Sequence, residues 1–250
     1  MSSLMLKIIA CIAMLLDHIG YCWGIDILRM IGRIAFPIFI YLIYNGYRHT
    51  RSKLRYALRL AFFAIVTQIP FNLFVYHRLW YNNGNVFFTL LAALLCLWCV
   101  DSMRRHKVLR WFCLIPPAVV CWLYFSEIIV SDYNAVGVLM ILMFYFCDKK
   151  GIGWKLLTVA GFFAAVYHIY LFSCAQALVL TAMGSPQPMP VMSSWQATQA
   201  YSALSLILIF AYNGKKGPMP QNKVLAKILQ LGFYLFYPLH MVVLWLLSIL

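Results

Sequence analysis

A chain of 250 residues with 64% hydrophobic and only 10% charged side chains is not an ordinary soluble domain. Its net charge of +14 does not point to nucleic acid either, because the basic residues lie in short loops and form no continuous basic face. Apolar stretches of about 15 to 20 residues recur along the whole length with no long linker between them. The expected fold is therefore all-α: a single polytopic membrane helical bundle over residues 1–250.

In chain order, the apolar runs predict about nine transmembrane spans at roughly 4–23, 28–47, 56–75, 86–101, 111–127, 134–148, 153–174, 200–213 and 229–249. The first run is too long for the core of a signal peptide and lacks a small-residue cleavage site, so it reads as a retained helix. Basic residues cluster after the even spans, in "RHTRSKLR" (48–55), "MRRHKVLR" (103–110), "DKKGIGWK" (148–155) and "NGKKGPMPQNK" (213–223). With Arg59 and Lys227, these loops hold 16 of the 20 basic residues, and Lys7 lies near the N-terminus. Loops after the odd spans contain only Arg78. This asymmetry predicts a cytoplasmic N-terminus and a C-terminus on the outer side of the membrane. Membrane lipid is then the first partner of the basic loops. The stretch 184–199 becomes an uncharged outer loop, a connector or a lid.

Orientation gives depth to the polar residues. Asp17 and His18 sit in the outer half of span one. Arg29 and Arg33, spaced i,i+4, open span two. Asp17 and Arg33 are each six residues from the turn around 24–27, about 9 Å deep at 1.5 Å per residue, which predicts an ion pair. Ala10, Ala13, Asp17, Gly20 and Gly24 form one stripe, mostly of small residues, that suits close helix packing. His18 is turned about 100° away and can face a cavity.

Gln68 and Asn72 in span three, Asp132 and Tyr133 before span six, and His168 in span seven fall at similar outer depth, with His240 in the middle of span nine. A histidine can take a proton from an amine or hydroxyl as that group attacks a carbonyl. A nearby arginine can hold a phosphate or a developing oxyanion. The histidines form no local ligand pair and the eight cysteines lack partner ligands, so no metal site is expected. Three uses of this cluster stay open from the residues alone: acyl transfer, a transporter or permease with a proton or substrate site, or helix packing.

Four ordered blocks then carry a resemblance: "LKIIACIAMLLDHIGY" (6–21), "RMIGRIAFPIFIYLIYNGYRHTRSKLRYALRLAFFAIVTQIPFNL" (29–73), "SDYNAVGVLMIL" (131–142) and "FYLFYPLHMVVL" (233–244). Together they resemble the TraX family, named for the conjugative-pilus protein associated with N-terminal acetylation of pilin. That family looks like a branch of the transmembrane acyltransferases. The resemblance implies an acetyl-CoA donor from the cytoplasm and an acceptor on the outer side, whether a pilin-like peptide, a glycan or a lipid. It makes His18 the leading catalytic histidine. It also places Asp17, Arg33 and His240 at motif positions. Arg29, Gln68, Asn72, Asp132, Tyr133 and His168 are the candidate substrate-binding residues, the last on depth alone.

Overall fold

The computed structural model describes residues 1–149, 151–185, 187–218, 220 and 222–249. Its helices are α1 (Ser3–Trp23), α2 (Asp26–Gly32), α3 (Ala35–His49), α4 (Lys53–Tyr76), α5 (Val86–Met103), α6 (Ile115–Phe125), α7 (Asn134–Cys147), α8 (Ile152–Val166), α9 (His168–Ala182), α10 (Ser194–Thr198), α11 (Leu204–Phe210) and α12 (Lys223–Ser248). The protein is an all-α polytopic helical bundle.

Local chemistry sets the ends of the first helices. The Ser2 hydroxyl accepts the Met5 N–H to start α1, and Gly24, at φ 67°, ends it in a left-handed cap. A Cβ added at Gly24 would meet nothing within 4 Å among the described residues, so this glycine is a cap and not a member of the packing stripe. Ala10, Ala13, Asp17 and Gly20 are buried as that stripe predicts. The span expected at 28–47 is interrupted between α2 and α3 at Arg33 and Ile34. Pro37 explains the break, because it has no N–H to offer the carbonyl of Arg33 four residues back.

Five helical segments are long and apolar enough to cross a bilayer: Ser3–Trp23, Asp26–His49, Lys53–Tyr76, Val86–Met103 and Val224–Ser248. A sixth crossing results if α8 and α9, bent by 75° at their junction, count as one broken span. The other three expected spans are the shorter apolar segments Leu109–Phe125, Asn134–Cys147 and Gln196–Phe210. The fourteen residues of α7 rise about 21 Å, well under a hydrocarbon core of about 30 Å. All nine apolar segments are thus helical, but only five or six qualify as full crossings among the described residues.

The core forms where α1 packs on α2, α3 and α12, while α4 joins α12 to α5, and α7 packs on α5, α3 and α8. The last helix therefore lies against the first. The basic loops gather at one end, as the charge pattern predicts. Asp148 pairs with Arg48, joining the loops after α7 and α3. Asp101 accepts from Lys53 at 3.0 Å and Arg105 at 2.8 Å, joining the loops around α3 and α5. The N–H groups of Ser3 and Leu4 donate to the carbonyls of Lys215 and Lys216, bringing the N-terminus to the fourth loop.

Candidate active site

The α1–α2 hairpin brings the first two charges together. Arg33 donates to the Asp17 carboxylate, and both side chains are buried. The expected pair is therefore formed, and Gly32 makes room for it. A Cβ built on Gly32 would lie 2.2 Å from the Cβ of Asp17, so only glycine allows the two helices this approach. The break after Gly32 leaves Arg33 at the junction, with its Nε donating back to the Arg29 carbonyl at 3.3 Å.

His18, next to Asp17, meets His240 of α12 across the bundle. Their rings stack at 4.9 Å, and His18 Nδ1 lies 2.6 Å from His240 Nε2. The hydrogen-bond chain assigns the tautomers. His240 Nδ1 is 2.7 Å from the carbonyl of Phe236, which can only accept, so His240 Nδ1 carries a proton. In neutral His240 the other nitrogen, Nε2, is then an acceptor, and His18 Nδ1 must donate to it. A neutral His18 is left with a bare Nε2. Because His18 lines the adjacent cavity and His240 does not, His18 Nε2 is the basic atom that the pair offers. His240 orients it from behind.

The cavity has a volume of about 830 Å³ and runs the length of α3. At the basic end it is lined by Lys7, Arg51, Arg55 and Arg59 together with Thr50 and Ser52. Among the described residues, none of these four cations has a carboxylate within ion-pair distance, unlike Arg48, Lys53 and Arg105. The two carboxylates lining the cavity, Asp17 and Asp132, lie toward the opposite end. There Arg29 sits with its guanidinium over the Tyr21 ring at 5.2 Å, and both line the wall.

Asp132 and Tyr133 are held over that far end by a loop clasp. The Gly84 N–H donates to Val130 at 2.9 Å, and the Asp132 N–H donates back to Gly84 at 2.9 Å. Tyr133 stacks on Phe36 of α3 with ring centroids 3.6 Å apart. Asp132 is exposed to the cavity, yet the loss of bulk water around it pushes its carboxyl up to about 6, against the opposing pull of Arg33. Burial likewise pushes the Tyr133 hydroxyl up.

Three expected binding residues fall outside this space. Gln68 donates to Asn72 at 3.0 Å and to the Asn83 carbonyl at 2.7 Å, and its carbonyl oxygen accepts from Asn85 Nδ2 at 2.9 Å. Asn72 donates to the Leu79 carbonyl at 3.1 Å. These two amides tie the 77–85 loop to α4, and neither lines the cavity. His168 is also not part of the wall. It opens α9 at the bend, with Nδ1 2.9 Å from the Ala165 carbonyl. The depth expected for it holds only along a straight helix, which the chain does not form. Tyr237 and the four basic-end cations are among the wall residues that the sequence does not single out as site residues. The one sequence signal for Tyr237 is its place one turn before His240.

Fold and site together define an integral membrane helical bundle with a buried ion pair and a histidine pair beside a cavity that begins among cations without a carboxylate partner. The chain belongs to the TraX family: the family model described as TraX protein matches residues 2–248. It is similar to the Probable fimbrial assembly protein FimC, serogroup H1, of Dichelobacter nodosus. That likeness is 27% identity over an alignment of 261 residues, covering 97% of this chain and 94% of that protein. It is also similar to an uncharacterized protein of Rickettsia prowazekii (strain Madrid E), at 25% identity over 172 residues, 68% of this chain and 65% of that protein. No solved structure matches it.

Proposed function

We propose that this protein is a membrane acetyltransferase that takes acetyl-CoA from the cytoplasm and passes the acetyl group to an amine or hydroxyl at the outer side of the bacterial inner membrane. The observation that carries this reading is the cavity's course, from the four basic-end cations past His18 to the opposite end of the bundle. Lys7, Arg51, Arg55 and Arg59 suit the phosphates of the donor. From Lys7 to His18 is eleven residues of α1, about 17 Å, so the thioester arm would lie along the cavity.

The acceptor nitrogen or oxygen attacks the thioester carbonyl carbon while its proton passes to His18 Nε2. The new C–N or C–O bond forms as the carbonyl electron pair moves onto oxygen. That pair then returns, the C–S bond breaks, and the thiolate leaves with the proton from His18. His240 holds His18 in the required tautomer. Asp17 and Arg33 fix the α1–α2 hairpin that carries it. Arg29, Asp132 and Tyr133 face the acceptor. A pilin-like peptide is the favoured acceptor class, supported by the fimbrial assembly name of the Dichelobacter nodosus relative.

The test is transfer of labelled acetyl groups by purified protein in proteoliposomes, with envelope extract supplying the acceptor. His18→Ala is expected to reduce transfer by about 10²- to 10⁴-fold. Equal transfer by the folded variant refutes the role of His18. A wild-type protein that binds no acetyl-CoA refutes the transferase reading. That result favours a permease, for which the break at Arg33 and the bend before His168 would supply the irregular helices.

A further inference from the structure

Tyr237 lies on α12, one turn before His240, and its ring faces the histidine pair. The ring centroids are 6.2 Å from His18 and 5.6 Å from His240, and Phe87 packs edge-on at 5.3 Å. The residue is only 4% exposed, yet its hydroxyl has no hydrogen-bond partner among the described residues. The Val86 N–H, at the start of α5, lies near the hydroxyl. An unsatisfied buried hydroxyl is costly. Tyr237 also lines the cavity that His18 lines, with its hydroxyl oxygen closed to a water-sized sphere, so a bound molecule reaches the missing partner's place by displacing the wall around it.

We infer that the Tyr237 hydroxyl is an oxyanion donor, awaiting a carbonyl oxygen of the ligand that enters beside His18. The inference rests on the acetyltransferase reading and names the group that holds the reacting oxygen. When the acceptor adds to the carbonyl carbon, negative charge gathers on that oxygen. A phenolic O–H brought within reach of that oxygen stabilises the charge. The eighteen-residue helix α5 starts beside the same hydroxyl, and the partial positive charge of its first turn acts in the same sense. His18 and Tyr237 then divide the work: one takes the acceptor's proton and the other holds the carbonyl oxygen. His240 supports the first, while Tyr237 touches the reacting atoms.

The experiment uses full-length protein in proteoliposomes loaded with acetyl-CoA carrying carbon-13 at the acetyl carbonyl. Infrared difference spectra report the carbonyl stretch, and equilibrium dialysis of labelled acetyl-CoA reports occupancy. Wild type is expected to show the stretch at lower frequency than the free thioester. Tyr237→Phe is expected to bind the donor and return the stretch to its free position, with an unchanged melting temperature. In the transfer assay the same variant is expected to lose about 10²-fold in kcat with little change in KM. An unshifted carbonyl in wild type, or a shift retained in Tyr237→Phe, overturns the inference while the transferase reading stands. So does a folded Tyr237→Phe that no longer binds the donor, because the hydroxyl would then serve general binding. A melting temperature lowered by several degrees overturns it too, by showing that the hydroxyl is already engaged in the fold. Absence of donor binding by wild type defeats the transferase reading and this inference with it.

Discussion

Replacing Gly32 by alanine tests the close approach on which the site depends. The added Cβ would sit 2.2 Å from the Cβ of Asp17, 2.7 Å from its Cα and 2.9 Å from its Cγ. Carbon atoms in contact prefer about 3.5–4.0 Å, so α1 must retreat by more than about 1 Å. Neither partner can absorb this, because one is backbone and the others are the root of a buried, ion-paired side chain. Overpacking of this kind costs about 1–3 kcal/mol. Pulling Asp17 away from Arg33 adds part of the roughly 3–5 kcal/mol lost when a buried pair is broken. Against this stands a gain of at most about 1 kcal/mol from alanine's helix propensity. The steric and electrostatic losses win, with a net destabilisation of about 3 kcal/mol. For a chain of this length that is a drop of roughly 6–12 °C in melting temperature. The assay is thermal unfolding of detergent-purified protein, with Gly232→Ala as control. A Cβ on Gly232 meets nothing within 4 Å among the described residues, so the control gains helix propensity without a clash. If Gly32→Ala melts within a degree of wild type, or higher, the proposed packing of Asp17 against α2 is wrong.

Other substitutions separate scaffold from site. Gln68→Ala removes an amide that serves Asn72, Asn83 and Asn85 together. It should cost about 1–3 kcal/mol for each group left unsatisfied, while transfer per folded molecule stays unchanged; a selective loss of transfer would return Gln68 to the site. His168→Ala should leave transfer and acetyl-CoA binding at wild-type levels, and a loss of either in folded protein would contradict its placement at the α8–α9 bend. Asp132 has a definite pH signature. Its carboxyl is raised to about 6 in the folded chain from an ordinary value of 3.8, so its stabilising contribution is complete below 3.8 and disappears as pH rises through about 6. Asp132→Asn should flatten that part of the stability profile, measured by thermal unfolding between pH 4 and 8, and an unchanged profile would contradict the raised value of this carboxyl.

Different parts of the site are legible in the sequence to different degrees, for physical reasons. The Asp17–Arg33 pair follows from helical rise alone, because a tight turn joins the two helices and fixes their relative depth. The gathering of basic loops at one end follows from alternation of charge along the chain. His18 and His240 are 222 residues apart, and their meeting depends on α12 packing beside α1, which no local pattern encodes. Gln68 and Asn72 have the side chains expected of a binding wall, but a folded-back loop takes up their hydrogen bonds. His168 is misplaced by the sequence because the run 153–174 reads as one rod while the chain bends at its centre. Tyr237, one of 16 tyrosines, stands out only once its hydroxyl is seen to lack a partner.

The buried ion pair also has a consequence for how the protein enters its membrane. Its members are only 16 residues apart and belong to the first hairpin of the chain. An aspartate or arginine at the centre of an isolated inserting helix costs about 2.5–3.5 kcal/mol. Here the second helix delivers the neutralising charge as soon as the hairpin closes, before any later span has been made. These two costly residues can thus leave the insertion machinery as a self-compensated unit. The bundle core is then laid down around a polar centre that is already shielded from lipid.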